Sequence, residues 1–199
     1  AGTHLHFEQD EPVDQIRVLT ALDPAFALVN TSPYYRGERL TACARPHVYR
    51  RMCYDSFEGH GQLWEYPDSV EQWRGRVDDR FGRFVEKAVE NGVDRETVED
   101  RFSPADALWT PVCLRDDLGT VEWRTPDAAP PLDLCRLIDD VSDVVGKAVE
   151  EGTQVNGAVK DDGTVSVPPF ETLTDYVDAA IRDGLSDGRV ERYLSGFGF

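Results

Sequence analysis

The chain has 199 residues with 40% hydrophobic composition, enough to bury one good core in a single compact domain. Its 38 acidic residues outnumber 21 basic ones and give a formal net charge of −17, which repels phosphate backbones and anionic lipid, so neither nucleic acid nor membrane surfaces are expected partners. No apolar run approaches the ~20 residues that span a bilayer, and a soluble protein is expected.

The opening "THLHF" alternates Thr3, Leu5 and Phe7 with His4 and His6, the period of a half-buried strand. From Pro12, the recurrence of Val13, Ile16, Leu19 and Ala27 predicts a helix that "NTSP" at 30–33 ends. Residues 34–66 have no clean period but many aromatics and arginines, and predict a long irregular segment crossing the surface. Loops of that length are uncommon unless they carry function. Asp68 is expected to cap a helix reaching about Glu90, with Val70, Trp73, Val77, Phe81, Phe84 and Val85 as its apolar stripe and Gly92 as its stop. A short helix is expected over 94–102.

Two strands follow, "ALWTPVCLR" and "GTVEWRT", joined by "DDLG" at hairpin length. In the second, Val121 and Trp123 point one way while Thr120, Glu122 and Arg124 point the other. Pro130 and Pro131 open a helix with the stripe Leu134, Leu137, Ile138, Val141, Val144 and Val145, ending at Gly152. A polar link with "DDGT" as a turn leads to two last helices, roughly 169–184 and 187–195. This order of elements predicts an α+β fold: few strands, antiparallel, with helices packed on one side.

His4 and His6 share a strand face and suit one metal or one anion, with Glu8 next in the same register. Against this stands an ordinary solvated strand face with two incidental histidines. Glu122 and Arg124 repeat the pattern, and if both strands lie in one sheet the four groups converge on a surface suited to a divalent cation with a polyphosphate. The competing reading is an exposed cross-strand ion pair worth ~0–1 kcal/mol. Cys43, His47, Cys53 and His60 lack the tight ligand pair of structural zinc sites, so separate core thiols and surface imidazoles are expected. With Cys113 and Cys135 they read as scattered free thiols of a reducing cytoplasm. The guanidiniums Arg36, Arg39, Arg45, Arg50 and Arg51 cluster in a very acidic chain and suggest a place where an anionic substrate is held, unless the surplus carboxylates claim them. No Walker loop, dinucleotide-binding glycine motif or serine-hydrolase elbow is present in the sequence.

"GTHLHF", "ALVNTSPYYRG" and "LWTPVCLRDDLGTVEWRTPDAAPP", taken in order, resemble the second half of the glutamate-cysteine ligase family that includes the bacterial carboxylate-amine ligases. The resemblance covers roughly residues 1 to 150. It implies a glutamine synthetase-like fold, a curved antiparallel sheet whose concave face holds ATP and Mg2+ or Mn2+. The implied activity joins the side-chain carboxylate of glutamate to the amine of cysteine through an acyl phosphate, a step of cytoplasmic thiol metabolism that leads toward glutathione. His4 matches the metal-contacting histidine of the family, with His6 beside it; Glu122 matches the metal-binding glutamate and Arg124 the arginine on the transferred phosphate. Arg45 matches the arginine that anchors the substrate carboxylate, with Arg50 as the alternative, and Trp109 and Asp127 fit the pattern.

This sequence departs from the family in two places. The family's opening strand, rich in metal-binding glutamates, has no counterpart, so residues 1–199 are expected to form the C-terminal portion of a single catalytic domain. Such a portion should be inactive until the N-terminal half of the same polypeptide is supplied. Where relatives carry an arginine after the tryptophan, "TPVCL" stands, and Arg115 is the available substitute. A related ligase with a different substrate pair, a non-catalytic anion-binding module and a metal hydrolase using His4 and His6 remain the alternatives.

All but Lys87, Lys147 and Lys160 of the basic side chains are arginine. Excess carboxylate with few lysines suits a high-salt cytoplasm, where screening suppresses self-repulsion. The thermal unfolding midpoint is therefore expected to rise as potassium chloride is added. A midpoint that falls or stays constant across the titration contradicts that reading.

Overall fold

The computed structural model describes residues 2–29, 32–54, 57, 59–155 and 163–199. The alternating opening stretch forms strand β1 (Leu5–Glu8), and Pro12 at the first helical turn, where its missing N–H costs nothing, starts α1 (Pro12–Ala21). The helix expected to run on to Ala27 stops at Ala21 and tightens into a 3-10 segment, Asp23–Val29. Pro24 cannot donate an N–H, and the Asp23 side chain is committed to tertiary partners, which explains the early stop.

The region expected to be irregular carries short regular pieces. Strands β2 (Tyr34–Tyr35) and β3 (Glu38–Arg39) form a minimal hairpin about Arg36 and Gly37, whose φ values of 52° and 86° are those of a two-residue turn that follows the strand twist. Helix α2 (Ala44–Val48) then runs into one π turn, Tyr49–Cys53. Helix α3 (Val70–Glu90) is capped by Ser69, whose hydroxyl accepts from the Gln72 N–H at 3.1 Å. Asp68, the expected cap, accepts from the Gln72 side chain at 3.3 Å instead.

Short helices α4 (Arg95–Arg101) and α5 (Pro104–Ala107) lead to β4 (Val112–Arg115) and β5 (Thr120–Trp123), shorter than expected but joined as a hairpin. Helix α6 (Pro131–Glu151) follows, then β6 (Thr153–Val155) and β7 (Val165–Val167), α7 (Phe170–Asp183) and α8 (Gly188–Ser195). β6 and β7 pair in parallel, which departs from the expected all-antiparallel strands. Of the turn expected at "DDGT", residues 161 and 162 lie outside the described residues. With 56% helix, 13% strand and small, mainly antiparallel sheets, the chain is α+β.

The main sheet has the order β1-β5-β4, all antiparallel, so β5 is central. Its register sets Leu5 and Val112 against Trp123, and His6 and Cys113 against Glu122. Leu5, Val112, Val121 and Trp123 thus share a buried face, onto which α1 packs with Ile16, Val18 and Leu19. Helix α6 backs α1 with Val141, Val144 and Val145, while α7 packs on the 3-10 segment. Among the described residues no helix is long and apolar enough to cross a membrane.

One polar knot lies inside this core. Asp23 is fully buried, accepts from Trp123 Nε1 at 3.0 Å and from Thr125 Oγ1, and pairs with the buried guanidinium of Arg50. Removing one partner of a buried pair strands the other charge, at a cost of roughly 3–5 kcal/mol. D23A should lower the unfolding free energy by about that amount, read from urea denaturation curves; a loss within measurement error would show that the knot contributes nothing to stability.

Candidate metal and anion site

Successive side chains in a strand alternate in face, so the apolar register of the core puts every second residue of β1, β4 and β5 on the opposite, polar face. Pairing extends past the start of β1, since Gly2 bridges to Asp127 and the Thr3 N–H donates to Pro126 O at 2.9 Å. His4 is carried into line with His6 by this extension. His4 Nδ1 lies 2.7 Å and His6 Nε2 3.4 Å from Glu122 Oε1. Thr120 Oγ1 fixes the other side of the His6 ring, 3.0 Å from its Nδ1.

The second oxygen of Glu122 faces different partners. Arg124 Nε donates to Oε2 at 3.0 Å, the Cys113 thiol donates to it at 3.3 Å, and Arg115 Nη1 stands 3.7 Å away. Arg124 Nη2 also donates to Cys113 Sγ at 2.6 Å, closing a triangle of carboxylate, guanidinium and thiol. Burial pushes the Glu122 carboxyl up, but Arg124, the Cys113 hydrogen bond and the two histidines outweigh it and leave the group below its ordinary value. Burial pushes the Cys113 thiol up to about 12, so it stays protonated and acts as a donor. Periodicity alone does not single out Cys113 as part of the site; its signal lies in the hairpin register, which sets it directly opposite Glu122.

The donor set allows a test of fit for a cation. His4, His6 and Glu122 each offer one ligand atom, all within 4.8 Å of one another, and they are the metal-capable group found among the described residues. Two imidazoles with one carboxylate suit a first-row divalent ion, whereas Mg2+ prefers an all-oxygen shell, so of the two cations expected the residues fit Mn2+ better. Glu8 stays out of the group, as do Cys43, His47, Cys53 and His60. Cys43 is a buried thiol pushed up to about 12, first by burial and then by Asp127, and His60 bonds to Ala107 O at 3.1 Å.

Arg45 and Trp109 reach the site by way of a stack. Arg45 Nη2 donates to the Arg124 carbonyl at 3.3 Å, and its guanidinium sits 4.8 Å from the Tyr49 ring centre. Tyr49 in turn stacks on Trp109 at 4.3 Å with planes 10° apart, and Tyr54 continues the stack at 6.4 Å from Trp109. Neither tyrosine stands out in the aperiodic segment that contains it, so the stack emerges only from the fold. Arg50 is not brought to the site: Asp23 holds it in the interior.

The chain matches no family model, and comparison with curated proteins finds no match. The site is therefore defined by its geometry, a buried carboxylate shared between two imidazoles and a guanidinium on the polar face of an α+β sheet.

Because Glu122 is held below its ordinary 4.5, the stability it contributes is fully present above that pH and is lost as pH falls through the folded-state value. E122Q, which leaves Arg124 buried without its charge partner, should cost on the order of 3 kcal/mol at neutral pH. Denaturation across a pH series should show this gap narrowing as pH falls below 4.5. A gap that stays constant on acidification contradicts the assignment.

Proposed function

We propose that the chain carries the metal- and phosphate-handling face of an ATP-dependent carboxylate–amine ligase of glutamine synthetase-like fold, joining the glutamate side chain to the amine of cysteine. The observation that supports this reading is the convergence of His4, His6, Glu122 and Arg124 within one cluster on one sheet face. A carboxylate is a poor electrophile because oxide would have to leave. Transfer of the γ-phosphoryl group of ATP onto it gives an acyl phosphate, which the amine attacks with loss of phosphate.

Each residue has a part in that scheme. Arg124 is a fixed, desolvated cation whose charge stabilises the transferred phosphoryl group. Glu122, hydrogen-bonded on both oxygens, is held anionic and in one orientation. A divalent ion on His4, His6 and Glu122 would supply neutralisation of phosphate oxygens. Arg45, braced on Tyr49 and through it on Trp109, presents a guanidinium for the substrate carboxylate. The acidic, lysine-poor composition supports a halophilic cytoplasm as the setting of this chemistry.

The imidazole-rich donor set also favours a second reading, metal-dependent hydrolysis without nucleotide. Phosphate release from ATP by the polypeptide encoded by the complete gene separates the two. Release that requires Mn2+, glutamate and cysteine together, and falls by about a hundredfold or more in R124A, is expected. Hydrolytic activity that needs metal but no nucleotide would reject the ligase.

A further inference from the structure

The main sheet is open at β1. β5 lies on one side of it, and among the described residues no strand pairs with the other. Thr3 and Gln9 donate their N–H groups across the ladder to Pro126 and Gly119, at 2.9 and 3.0 Å, and alternation gives Leu5 and Phe7 the same direction. The backbone N–H and C=O groups of His4 and His6 therefore point outward, with no backbone partner among the described residues. The Glu8 carbonyl, already bonded to Gln15 Nε2 at 2.7 Å and to the Asp10 N–H at 3.1 Å, ends this free edge. An exposed edge is a template for another strand, and β1 has neither the proline nor the lysine that commonly blunts one.

Helix α6 lies alongside that edge. Gly2 bridges to Asp127 just ahead of the helix, and Phe7 and Glu8 meet Val145, Gly146 and Val149 near its end, so β1 and α6 run in the same direction. The flank of α6 turned that way carries no charge: Cys135, Ser142 and Gly146 are exposed, Ile138 is 38% exposed and Val149 half-buried. The other flank is charged up to the buried stripe, with Asp133, Asp140 and Glu151. A groove of about 250 Å³ opens between the uncharged flank and the end of β1, over Phe7, Val145 and Val149. Glu8, Asp10 and Glu150 also line it, and none of the three has a cationic partner among the described residues.

Together these features specify an occupant. Free backbone groups on a strand take another extended backbone, an uncharged flank beneath it takes apolar side chains at every second position, and unpaired carboxylates at one end take a cation. A second copy of this chain would instead bring another net charge of −17 to an edge that already ends in carboxylates. We propose that β1 accepts an extended segment of a partner polypeptide, antiparallel to it, with alternate apolar side chains over the α6 flank and a lysine or arginine at its N-terminal end reaching Glu8, Asp10 and Glu150. The direction follows the main sheet, in which both pairings are antiparallel. The remaining side chains of the segment stand beside His4 and His6, at the border of the metal-capable cluster. The docking does not rest on the ligase reading.

Fluorescence anisotropy of the peptide Lys-Val-Thr-Val-Thr-Val, labelled with fluorescein at its C-terminus, tests the proposal. In the antiparallel register its valines fall on the face of Leu5 and Phe7, its threonines oppose His4 and His6, and its lysine meets the carboxylates. The peptide should bind, and methylation of both threonine amide nitrogens, which removes the donors to the β1 edge, should abolish binding. Exchanging the lysine for glutamate should weaken binding by about tenfold, and E150K should reverse that preference. A Cβ on Gly146 meets nothing within 4 Å, so G146W fills the groove; it should weaken binding by about tenfold or more while an unchanged melting midpoint reports an intact fold. No binding, binding indifferent to N-methylation, equal binding of the glutamate peptide, or unchanged affinity in folded G146W overturns the proposal. So does a dimer in sedimentation of the chain alone that G146W dissociates, because a second copy then fills the edge.

Discussion

Glu122 is one carboxylate held in two environments, and the polar half of the structure is organised around that division. Its Oε1 is turned to two imidazoles at the start of the chain, and its Oε2 to a guanidinium and a thiol. A buried carboxylate is costly unless its lone pairs are satisfied. Here every partner comes from β5, from the strands on either side of it or from the residues just beyond their ends, so folding the sheet and satisfying Glu122 are one event. A register slip of a single residue in β1 would turn His4 and His6 onto the apolar face and leave Glu122 without that half of its shell.

The same strand is fixed from its other side. Trp123, one residue along from Glu122, fills the core and donates its indole N–H to Asp23, which also holds Thr125 and Arg50. Two buried carboxylates therefore bracket β5, one on each face, and each carries a guanidinium. The difference between them lies in who supplies the remaining contacts. Asp23 is enclosed by core side chains with full burial, whereas Glu122 has His4 and His6 as neighbours, with side chains 41% and 35% exposed, which leaves an approach from solvent. The first arrangement fastens the 3-10 segment to the sheet; the second presents donor atoms to solvent on one side.

How much of this is legible in the residue order follows from the same physics. A period of two is local, so the faces of β1 and β5, and with them His4, His6, Glu122 and Arg124, can be read from the residue order alone. Cys113 requires the pairing register of the hairpin, a non-local fact. Periodicity overextends the helix from Pro12 because Ala27 fits helical spacing, while the decisive residues are Asp23 and Pro24, one drawn away by tertiary partners and the other unable to donate. Ser69 displaces Asp68 as a cap because either side chain can serve and the one adjoining the first helical turn wins. The parallel pairing of β6 and β7 joins two segments too short to carry a periodic signal.

The arginine-rich segment shows how local geometry assigns roles that composition cannot. Arg45 and Tyr49 are four residues apart and fall on one side of the turn from α2 into the π segment, so the guanidinium lies over the ring and is aimed past it at the Arg124 carbonyl. Arg50, one step further round, is rotated into the core onto Asp23, and Arg51 points outward to Asp178 at 2.8 Å. The surplus carboxylates thus claim Arg50 and Arg51. For Arg45 the contacts are a ring face, a phenol oxygen at 3.5 Å and a carbonyl, none of which cancels its charge, and its Nε is buried without a partner among the described residues. A positive charge kept from neutralisation in a chain of −17 thus sits beside Arg124, the other cation of the site.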